Sequence, residues 1–461
     1  MKTRFIALIL AAIFMLLALC SCGSERDVAD EYGAPADYVY GDITSSLAGK
    51  ASPDGEGEPG SLSTKAVSDF YYSMDEKEMI SGYFDVPSIA VEPGTGSDVP
   101  YEPAQTAPGT LTAGRWNDNN NYDFWKSVLN RNDWYAIAEK WSLFASHRVA
   151  FRVTSTAGRF IKGATVTAFD KDGKQLGSAV TDSYGMAYVY YDVKLGNSET
   201  VPATYSYVFT RDTEYTGSGE IADPSAVTDI SVTFNGVLGA KKLDLMFVID
   251  TTGSMGDELR YIQTELNDVI AKVKDRFEQG VSIRLSVNFY RDHGDTYVVS
   301  SNKFTADISE AIAALAKQYS DGGGDYPEAV DEALENAVKD HDWDDDAVKL
   351  MFFVLDAPPH NDRKGTPERI YENVLLAAEQ GIRIIPVASS GVNTETELIM
   401  RSLAAITGGT YVFLTNDSGI GGDHLEPTIG DYEVEKLNDL MVDLITKYLA
   451  ELNAFDPSET K

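Results

Sequence analysis

Cysteine and basic side chains are scarce in this chain of 461 residues. Its two cysteines lie close together near the N-terminus, at positions 20 and 22, so the rest of the chain can hold no disulfide. Lysine and arginine together number 38 against 72 aspartates and glutamates, which gives a formal net charge of -34. Because phosphate groups carry the same sign of charge, nucleic acid and anionic lipid are poor partners for this protein.

Sequence motifs of common enzyme classes are also missing. There is no G-x-x-x-x-G-K-[ST] loop and no G-x-G-x-x-G at a junction of strand and helix, so nucleotide use is unsupported. The stretch GSMG around Ser254 does not have the G-x-S-x-G spacing of a nucleophilic serine, and the five histidines form no H-E-x-x-H zinc pair. We therefore expect a protein that is not an enzyme, with a hydrolase as the less favoured alternative.

One long apolar run lies near the N-terminus, from Phe5 to Leu19, behind two basic residues. It is short for a membrane helix of about 20 residues but suits a secretory signal. The residues LCSCG that end this region resemble a bacterial lipobox. The resemblance implies that residues 1–21 are a lipoprotein signal peptide and that Cys22 is the lipidated residue, because Ser21 before it is small whereas Cys20 follows the bulky Leu19. A plain secreted protein is the alternative.

Two segments separate this signal from the more regular part of the chain. Residues 22–110 are rich in Gly, Ser, Pro and acids, which predicts a disordered acidic tether. Residues 111–144 hold four of the five tryptophans, and the stretches YDFWKSVLN and DWYAIAEKW predict two short helices. Aromatic side chains at this density form a core more often than a carbohydrate-stacking surface, so we expect this segment to pack against the domain that follows it.

Hydrophobic residues alternate with polar ones from about residue 145 to 238. Val149, Phe151 and Val153 alternate in this way, and the run DKDG from Asp170 is a hairpin turn signal. Several short strands with turns between them predict an all-β sandwich. The phrase RFIKGATVTAFDKDGKQLGSAVTDSYGMAYV resembles immunoglobulin-like modules related to the carboxypeptidase regulatory domain, and this resemblance implies a spacer.

From residue 241 to 454, predicted strands alternate with predicted helices. Strands are predicted at 243–249, 282–290, 349–355, 382–388 and 410–414, and the first and third of these are continuous apolar runs typical of buried strands. Helical segments are expected at 257–277, 308–319, 327–339, 367–380 and 434–452. A short antiparallel edge strand is expected within 296–301. This alternation predicts an α/β doubly wound, mostly parallel sheet. The expected fold is therefore multidomain: this α/β domain, an all-β sandwich and a disordered N-terminal tether.

Two of the predicted strands end in an aspartate. LDLMFVID ends in Asp250 and continues into Thr252 and Ser254 at alternate positions, and VKLMFFVLD ends in Asp356. Parallel strands that lie side by side would bring these oxygens together at the carboxyl edge of the sheet, where such folds bind ligands. Oxygen ligands favour Mg²⁺, with Mn²⁺ or Ca²⁺ as alternatives.

These residues resemble the von Willebrand factor A family, whose metal-ion-dependent adhesion site has the pattern D-x-[ST]-x-S, then a Thr, then an Asp. The resemblance covers about residues 241–452. It implies that the hydroxyls of Thr252 and Ser254 bind a cation directly, while Asp250 and Asp356 act largely through water. Where the family has its Thr, this chain has the run GGGDYPE with a glycine at the Thr position, so Asp325 is a candidate substitute ligand.

The same resemblance gives an expected function. We expect a lipid-anchored protein at the cell membrane or outer membrane, on the side away from the cytoplasm, whose cation site recognises a protein or cell-envelope ligand through an acidic group of that ligand. His360 and Asp362 follow Asp356 closely and are candidates for partner contact. A substitute Asp at the site would weaken the attraction for an acidic group. The alternative function is a cell-envelope assembly or chaperone-like scaffold.

Overall fold

The computed structural model describes residues 107–210, 213–234, 241–277 and 280–450. The predicted signal peptide (1–21), the predicted lipidation site Cys22 and the predicted tether up to residue 106 lie outside the described residues. Within the described residues, no helix combines the length and the apolar character that a membrane crossing requires.

The strands are distributed along most of the described chain. They are β1 (Thr112–Trp116), β2 (Arg148–Ser155), β3 (Thr165–Asp170), β4 (Gln175–Val180), β5 (Met186–Tyr190), β6 (Pro202–Thr210), β7 (Glu214–Glu220), β8 (Val227–Val232), β9 (Lys241–Asp250), β10 (Val281–Tyr290), β11 (Val299–Ser300), β12 (Val348–Leu355), β13 (Ile382–Ala388), β14 (Tyr411–Leu414) and β15 (Glu435–Lys436). The helices are α1 (Tyr122–Leu129), α2 (Asn132–Trp141), α3 (Leu259–Phe277), α4 (Ile308–Ala316), α5 (Val330–Lys339), α6 (Thr366–Gln380), α7 (Thr394–Thr407) and α8 (Leu437–Leu449).

The central sheet has the order β11-β10-β9-β12-β13-β14-β1-β15. Each of the strands β10, β9, β12, β13 and β14 runs parallel to its neighbour in this series. β11 pairs antiparallel at the edge, as expected for the region 296–301. The predicted mixed sheet with mostly parallel strands is therefore confirmed, and its carboxyl edge carries the loops that follow β9, β10, β12 and β13.

The parallel strands are buried on both faces because helices cover each side of the sheet. Along β9, Leu245, Phe247 and Ile249 belong to one buried cluster, while Met246 and Val248 belong to the other. Helices α3, α4 and α8 contribute to the first cluster, and α5, α6 and α7 contribute to the second. β9 therefore has no polar face, which explains its unalternating apolar sequence.

β1 joins this sheet from a distant part of the sequence. It pairs antiparallel with β14, where Ala113 lies opposite Leu414, and it also pairs with β15. The chain just before β1 is fixed by Glu265 of α3, whose buried carboxylate accepts hydrogen bonds of 2.8 to 3.0 Å from the backbone N–H groups of residues 109–111. The segment 111–144, for which the sequence predicts helices, thus also contributes a strand to the α/β sheet.

Helices α1 and α2 place the tryptophan-rich segment against α7. Three of its tryptophans are fully buried: Trp125, Trp134 and Trp141. They share a cluster with Leu398 of α7 and with Tyr190 of the β-rich segment. The tryptophans therefore form core, and this core is shared between the segment that follows them and the helical layer of the α/β sheet.

Residues 145–234 contain two smaller sheets, in the orders β5-β2-β8 and β4-β3-β6-β7. Their buried faces share one cluster, to which Phe151 and Ile230 contribute from the first sheet and Val166 and Phe209 from the second. Within the first sheet, β2 and β8 run parallel. The resemblance of this segment to immunoglobulin-like modules remains a prediction.

Candidate cation site at the carboxyl edge of the sheet

The turn after β9 places Asp250, Thr252 and Ser254 together. Asp250 is fully buried at the end of a central strand, between β10 and β12. Its Oδ1 accepts hydrogen bonds from the backbone N–H of Thr252 at 2.8 Å and from the Thr252 hydroxyl at 2.7 Å. The Thr252 and Ser254 hydroxyl oxygens are 3.1 Å apart. A short 3₁₀ helix, Gly253–Asp257, then leads into α3.

Asp356 reaches the same place from the neighbouring strand. It follows β12, whose Val354 lies beside Ile249 of β9 in parallel register. The Ser254 hydroxyl interacts with the Asp356 carboxylate and lowers its pKa, whereas burial and the adjacent Asp250 raise it more strongly, to about 7. The structure therefore brings together four of the predicted site residues, because the two strands that carry them are adjacent.

A further carboxylate, Glu328, was not predicted to be part of this site. It lies in the loop before α5 with 2% of its surface exposed, and its backbone N–H donates to the carbonyl of Pro358 just beyond Asp356. Burial raises the pKa of Glu328 to about 9, and Asp250 is the largest of the charges that add to this shift. In the sequence, Glu328 is an acid at the start of the helix predicted at 327–339, a position that does not by itself indicate burial.

The loop that carries Glu328 approaches the Thr252 turn through glycines. The carbonyl of Gly322 accepts a hydrogen bond from the backbone N–H of Gly253 at 3.2 Å. A Cβ at Gly322 would lie 2.3 Å from the carboxylate of Asp295, which in turn accepts from the N–H of Gly323 at 2.9 Å. A side chain at Gly322 would therefore displace the loop from the turn.

The three buried carboxylates each have an oxygen without a hydrogen-bond partner among the described residues. These oxygens are Asp250 Oδ2, Asp356 Oδ1 and Glu328 Oε2. The Tyr290 hydroxyl lowers the pKa of Asp250 without forming a hydrogen bond of normal geometry, and burial still raises that pKa to about 6. Buried carboxylates without partners are costly, and a cation would relieve that cost. Together with the hydroxyls of Thr252 and Ser254, they form an all-oxygen donor set that fits Mg²⁺, Mn²⁺ or Ca²⁺.

Asp325 lies in a different group of side chains. It is exposed, and one of its oxygens lies within 4.8 Å of donor atoms of Asp292 and His360. His360 is buried, with Nε2 2.8 Å from Asp292 and Nδ1 3.3 Å from Asp362. Of the two predicted partner-contact residues, Asp362 is therefore the one with an exposed side chain, at 83%.

A second loop pair borders the site on the side of β13. The buried carboxylate of Glu258 accepts a hydrogen bond from the backbone N–H of Ser390 at 3.1 Å and lies 2.9 Å from Nε2 of His424. Gly391 lies beside Asp356, and its carbonyl accepts a hydrogen bond from the hydroxyl of Tyr326 at 2.8 Å. These contacts hold the loops around the carboxylates in place.

The same part of the chain matches a known family. Residues 244–421 match the von Willebrand factor type A domain. The match begins in β9 and ends after β14, so it contains all the carboxylates of the candidate site.

Two curated relatives match part of the chain at low identity. A putative ariadne-like RING finger protein of Acanthamoeba polyphaga mimivirus is 25% identical over 190 residues, which is 37% of this chain and 18% of the relative. An alpha-protein kinase of Dictyostelium discoideum is 25% identical over 137 residues, which is 29% of this chain and 21% of the relative. The chain thus spans about a fifth of the length of these relatives.

Solved structures that resemble the chain do so at lower identity still. A conserved hypothetical protein BatB from Bacteroides thetaiotaomicron is 14% identical, with 45% of this chain and 98% of that chain covered and a TM-score of 0.31. Proximal thread matrix protein 1 from the mussel byssus is 14% identical, with 47% of this chain and 48% of that chain covered and a TM-score of 0.32.

Proposed function

We propose that the protein binds a protein partner through the carboxyl edge of its α/β sheet and that a divalent cation held there is needed for binding. The observation that carries this proposal is the convergence of three buried carboxylates on the hydroxyls of Thr252 and Ser254, each carboxylate with one oxygen that has no hydrogen-bond partner in the described part of the chain. The match of residues 244–421 to the von Willebrand factor type A domain supports a role in protein interaction.

The surroundings of the site offer a surface for a partner. Tyr326 is 43% exposed, and the neighbouring Asp325 is also exposed. Tyr319 is 64% exposed in the same loop before α5. Partly exposed tyrosines beside a buried polar centre are typical of protein interfaces, in which aromatic residues are enriched.

The contacts of Ser254 support binding rather than hydrolysis. Its hydroxyl lies 3.1 Å from the Thr252 hydroxyl and interacts with the Asp356 carboxylate. A nucleophilic serine needs a base that accepts its proton and is itself oriented by a third group. His360, which follows β12, instead has carboxylates beside both ring nitrogens. We accordingly propose that the protein is not an enzyme.

The charge of the site limits which partner it attracts. Three carboxylates and one divalent cation would leave one net negative charge if all three are ionised. The cation would then attract an acidic group of a partner less strongly than in a site built from hydroxyls and two carboxylates. We propose that a partner carboxylate can still occupy the site, with neutral oxygen ligands as competitors.

Calorimetric titration of the purified chain with Mg²⁺ tests the cation site. We expect Asp250→Asn to abolish the binding heat that the native chain gives. Asp346→Asn is the matched control, because Asp346 is 80% exposed and precedes β12 at the opposite edge of the sheet. Equal Mg²⁺ affinity in the native chain and in Asp250→Asn would refute the site.

Cross-linking on intact envelopes tests the role in binding. The native chain should give a defined cross-linked partner in Mg²⁺ that disappears in EDTA and in Asp250→Asn but persists in Asp346→Asn. A partner from the same envelope would indicate the scaffold function, and a partner on another cell would indicate adhesion. A cross-link that forms equally in EDTA would rule out cation dependence.

We also propose that the chain is anchored to a membrane through a lipid on Cys22. The support is the apolar run 5–19 followed by LCSCG. Metabolic labelling with a palmitate analogue should label the native chain and Cys20→Ser but not Cys22→Ser. Label retained in Cys22→Ser would overturn the assignment, and because the chain has only these two cysteines the comparison is complete.

A further inference from the structure

A second group of possible metal donors lies beside the candidate cation site. Asp292, Asp325 and His360 each place one donor atom within 4.8 Å of the other two. They come from three loops at the carboxyl edge: Asp292 follows β10, Asp325 precedes α5 and His360 follows β12. Strands β10, β9 and β12 are neighbours in the sheet, so their loops converge here for the same reason as the oxygen site.

The donor chemistry of this group differs from that of the oxygen site. It contains one imidazole nitrogen and two carboxylates, whereas the first site offers only oxygens. Imidazole suits Zn²⁺ and other first-row transition ions, while Mg²⁺ and Ca²⁺ prefer all-oxygen sites. The two groups should therefore select different ions.

The histidine is oriented as a metal ligand usually is. Its Nε2 faces Asp292, and its Nδ1 lies 3.3 Å from a carboxylate oxygen of Asp362. A carboxylate on the second ring nitrogen fixes the tautomer and the ring orientation of a ligating histidine. Asp292 and His360 are 3% and 4% exposed, whereas Asp325 is exposed and leaves a route for an ion from solvent.

Glu328, assigned above to the oxygen site, also interacts with the charges of this second group. Its Oε2 has no hydrogen-bond partner among the described residues, although Glu328 is 2% exposed. The negative charges of Asp292 and Asp295, like those of Asp250 and Asp356, raise the pKa of its carboxyl group. Positive charge at this second group would therefore also stabilise the buried carboxylate of Glu328.

We propose that Asp292, Asp325 and His360 bind a transition-metal dication of the Zn²⁺ class, at a second site separate from the oxygen site of Asp250. Solvent would complete the coordination on the exposed side of Asp325. The site would give this edge of the sheet two ions of different chemistry. The competing interpretation is a plain ion pair between a protonated His360 and Asp292, which needs no metal.

Calorimetric titration of the full chain with Zn²⁺, in the presence of excess Mg²⁺, separates these interpretations. We expect one equivalent of Zn²⁺ to bind, with the affinity reduced about 100-fold in His360→Gln and about tenfold in Asp362→Asn, since outer partners of a ligand contribute less than the ligand itself. Asp325→Asn changes an exposed residue and should also lose affinity without loss of folding. His147→Gln is the matched control, because it removes a histidine far from the site in sequence and outside the group.

The two cation sites can be told apart in the same experiment. Asp250→Asn should lose Mg²⁺ binding and keep Zn²⁺ binding, while His360→Gln should do the reverse. Co²⁺ gives a second readout, because nitrogen ligation changes its visible absorption and only the native chain and the His147→Gln control should show the full change. Zn²⁺ affinity that is unchanged in both His360→Gln and Asp325→Asn would overturn the proposal, and so would the absence of Zn²⁺ binding by the native chain.

Discussion

The site places three acids where water is excluded and hydrogen bonds are incomplete. Burial raises the pKa of Asp250 to about 6, that of Asp356 to about 7 and that of Glu328 to about 9. Each acid therefore holds its proton in the folded protein at a pH where it would be ionised in the unfolded chain. A cation must displace these protons, so its binding and the protonation of the site compete.

The raised pKa values predict how the free energy of unfolding depends on pH in the absence of metal. The folded state binds more protons than the unfolded state from about pH 4 up to the raised pKa values, so the free energy of unfolding should fall as pH rises through about 5 to 8. Denaturant unfolding in EDTA at several pH values measures this fall. Asp250→Asn should flatten it between about pH 4 and 6, the range in which the Asp250 carboxyl contributes. A slope unchanged by Asp250→Asn would contradict the burial of that carboxyl, whose Oδ2 has no hydrogen-bond partner among the described residues.

Removal of the third carboxylate gives a second test at the residue scale. Glu328→Gln should lower Mg²⁺ affinity by about tenfold or more, because a cation ligand loses its charge. The metal-free stability should stay equal or increase at neutral pH, since a buried ionisable group is removed. Glu335→Gln is the matched control on α5, where the glutamate pairs with Lys339 at the surface. Mg²⁺ affinity that is the same in Glu328→Gln and Glu335→Gln would remove Glu328 from the site.

The predictable and unpredictable parts of the site differ in the kind of element that carries them. Asp250, Thr252 and Ser254 lie in one turn, and Asp356 ends a strand of the same type, so their convergence follows from adjacent parallel strands. Glu328 depends on the path of a glycine-rich loop held by the carbonyl of Pro358. No periodic pattern encodes such a path, which explains why the exposed Asp325 was the candidate instead.

At the scale of elements, a buried ion cluster ties the N-terminal helices to α7. Arg401, fully buried, donates to both carboxylate oxygens of Asp118 at 2.6 and 3.0 Å and to Glu397 at 3.1 Å. Its guanidinium lies 4.4 Å from the ring centroid of Trp125. The tryptophans therefore enclose an ion pair as well as apolar side chains.

Removal of the charge at Arg401 should be costly. Arg401→Met leaves the buried Asp118 and Glu397 without a cation, although Trp116 Nε1 still donates to Asp118 and the backbone N–H of Thr428 to Glu397. The loss of the cation should lower the free energy of unfolding by about 3 to 5 kcal/mol. Lys339→Met, which breaks the exposed pair with Glu335, should cost about 1 kcal/mol or less. Denaturant unfolding of both variants measures the difference. Similar losses in the two variants would show that the cluster contributes little more than a surface pair.

The elements that the sequence predicts least well are those that depend on distant partners. The long strands β9 and β12 carry continuous apolar runs, and the predicted strands of the sheet are present close to their predicted bounds. β1 has only the residues TAGRW, and its strand character comes from pairing with β14 some 300 residues later. Helix α7 is likewise absent from the helical ranges predicted from the sequence, and it is buried on nearly every side.

The pairing of β1 predicts how fragments behave. A fragment of residues 241–461 lacks β1 and exposes the backbone edge of β14, a surface prone to pair with other chains. In this fragment, the buried carboxylate of Glu265 also lacks the three backbone N–H donors of residues 109–111. A peptide of residues 107–118 added in trans should raise the melting temperature of this fragment, and a scrambled peptide should not. Equal effects of the two peptides would mean that β1 is dispensable.

At the scale of the whole molecule, the net charge of -34 acts against compaction. Repulsion among the excess acids destabilises the folded chain, and monovalent salt screens it over distances of about 8 Å at physiological ionic strength. NaCl should therefore raise the melting temperature of the native chain and of Asp250→Asn alike. This response belongs to the surface as a whole and needs no specific site.

A specific cation site should add to this general effect. At equal ionic strength, MgCl₂ should raise the melting temperature of the native chain more than NaCl does, because binding to the folded state alone stabilises it by mass action. This additional rise in melting temperature should vanish in Asp250→Asn. It should remain in Asp346→Asn, which removes the same charge at the other edge of the sheet. An excess that persists in Asp250→Asn would assign the effect of Mg²⁺ to the acidic surface. An excess that is lost only in Asp250→Asn would place it at the three carboxylates.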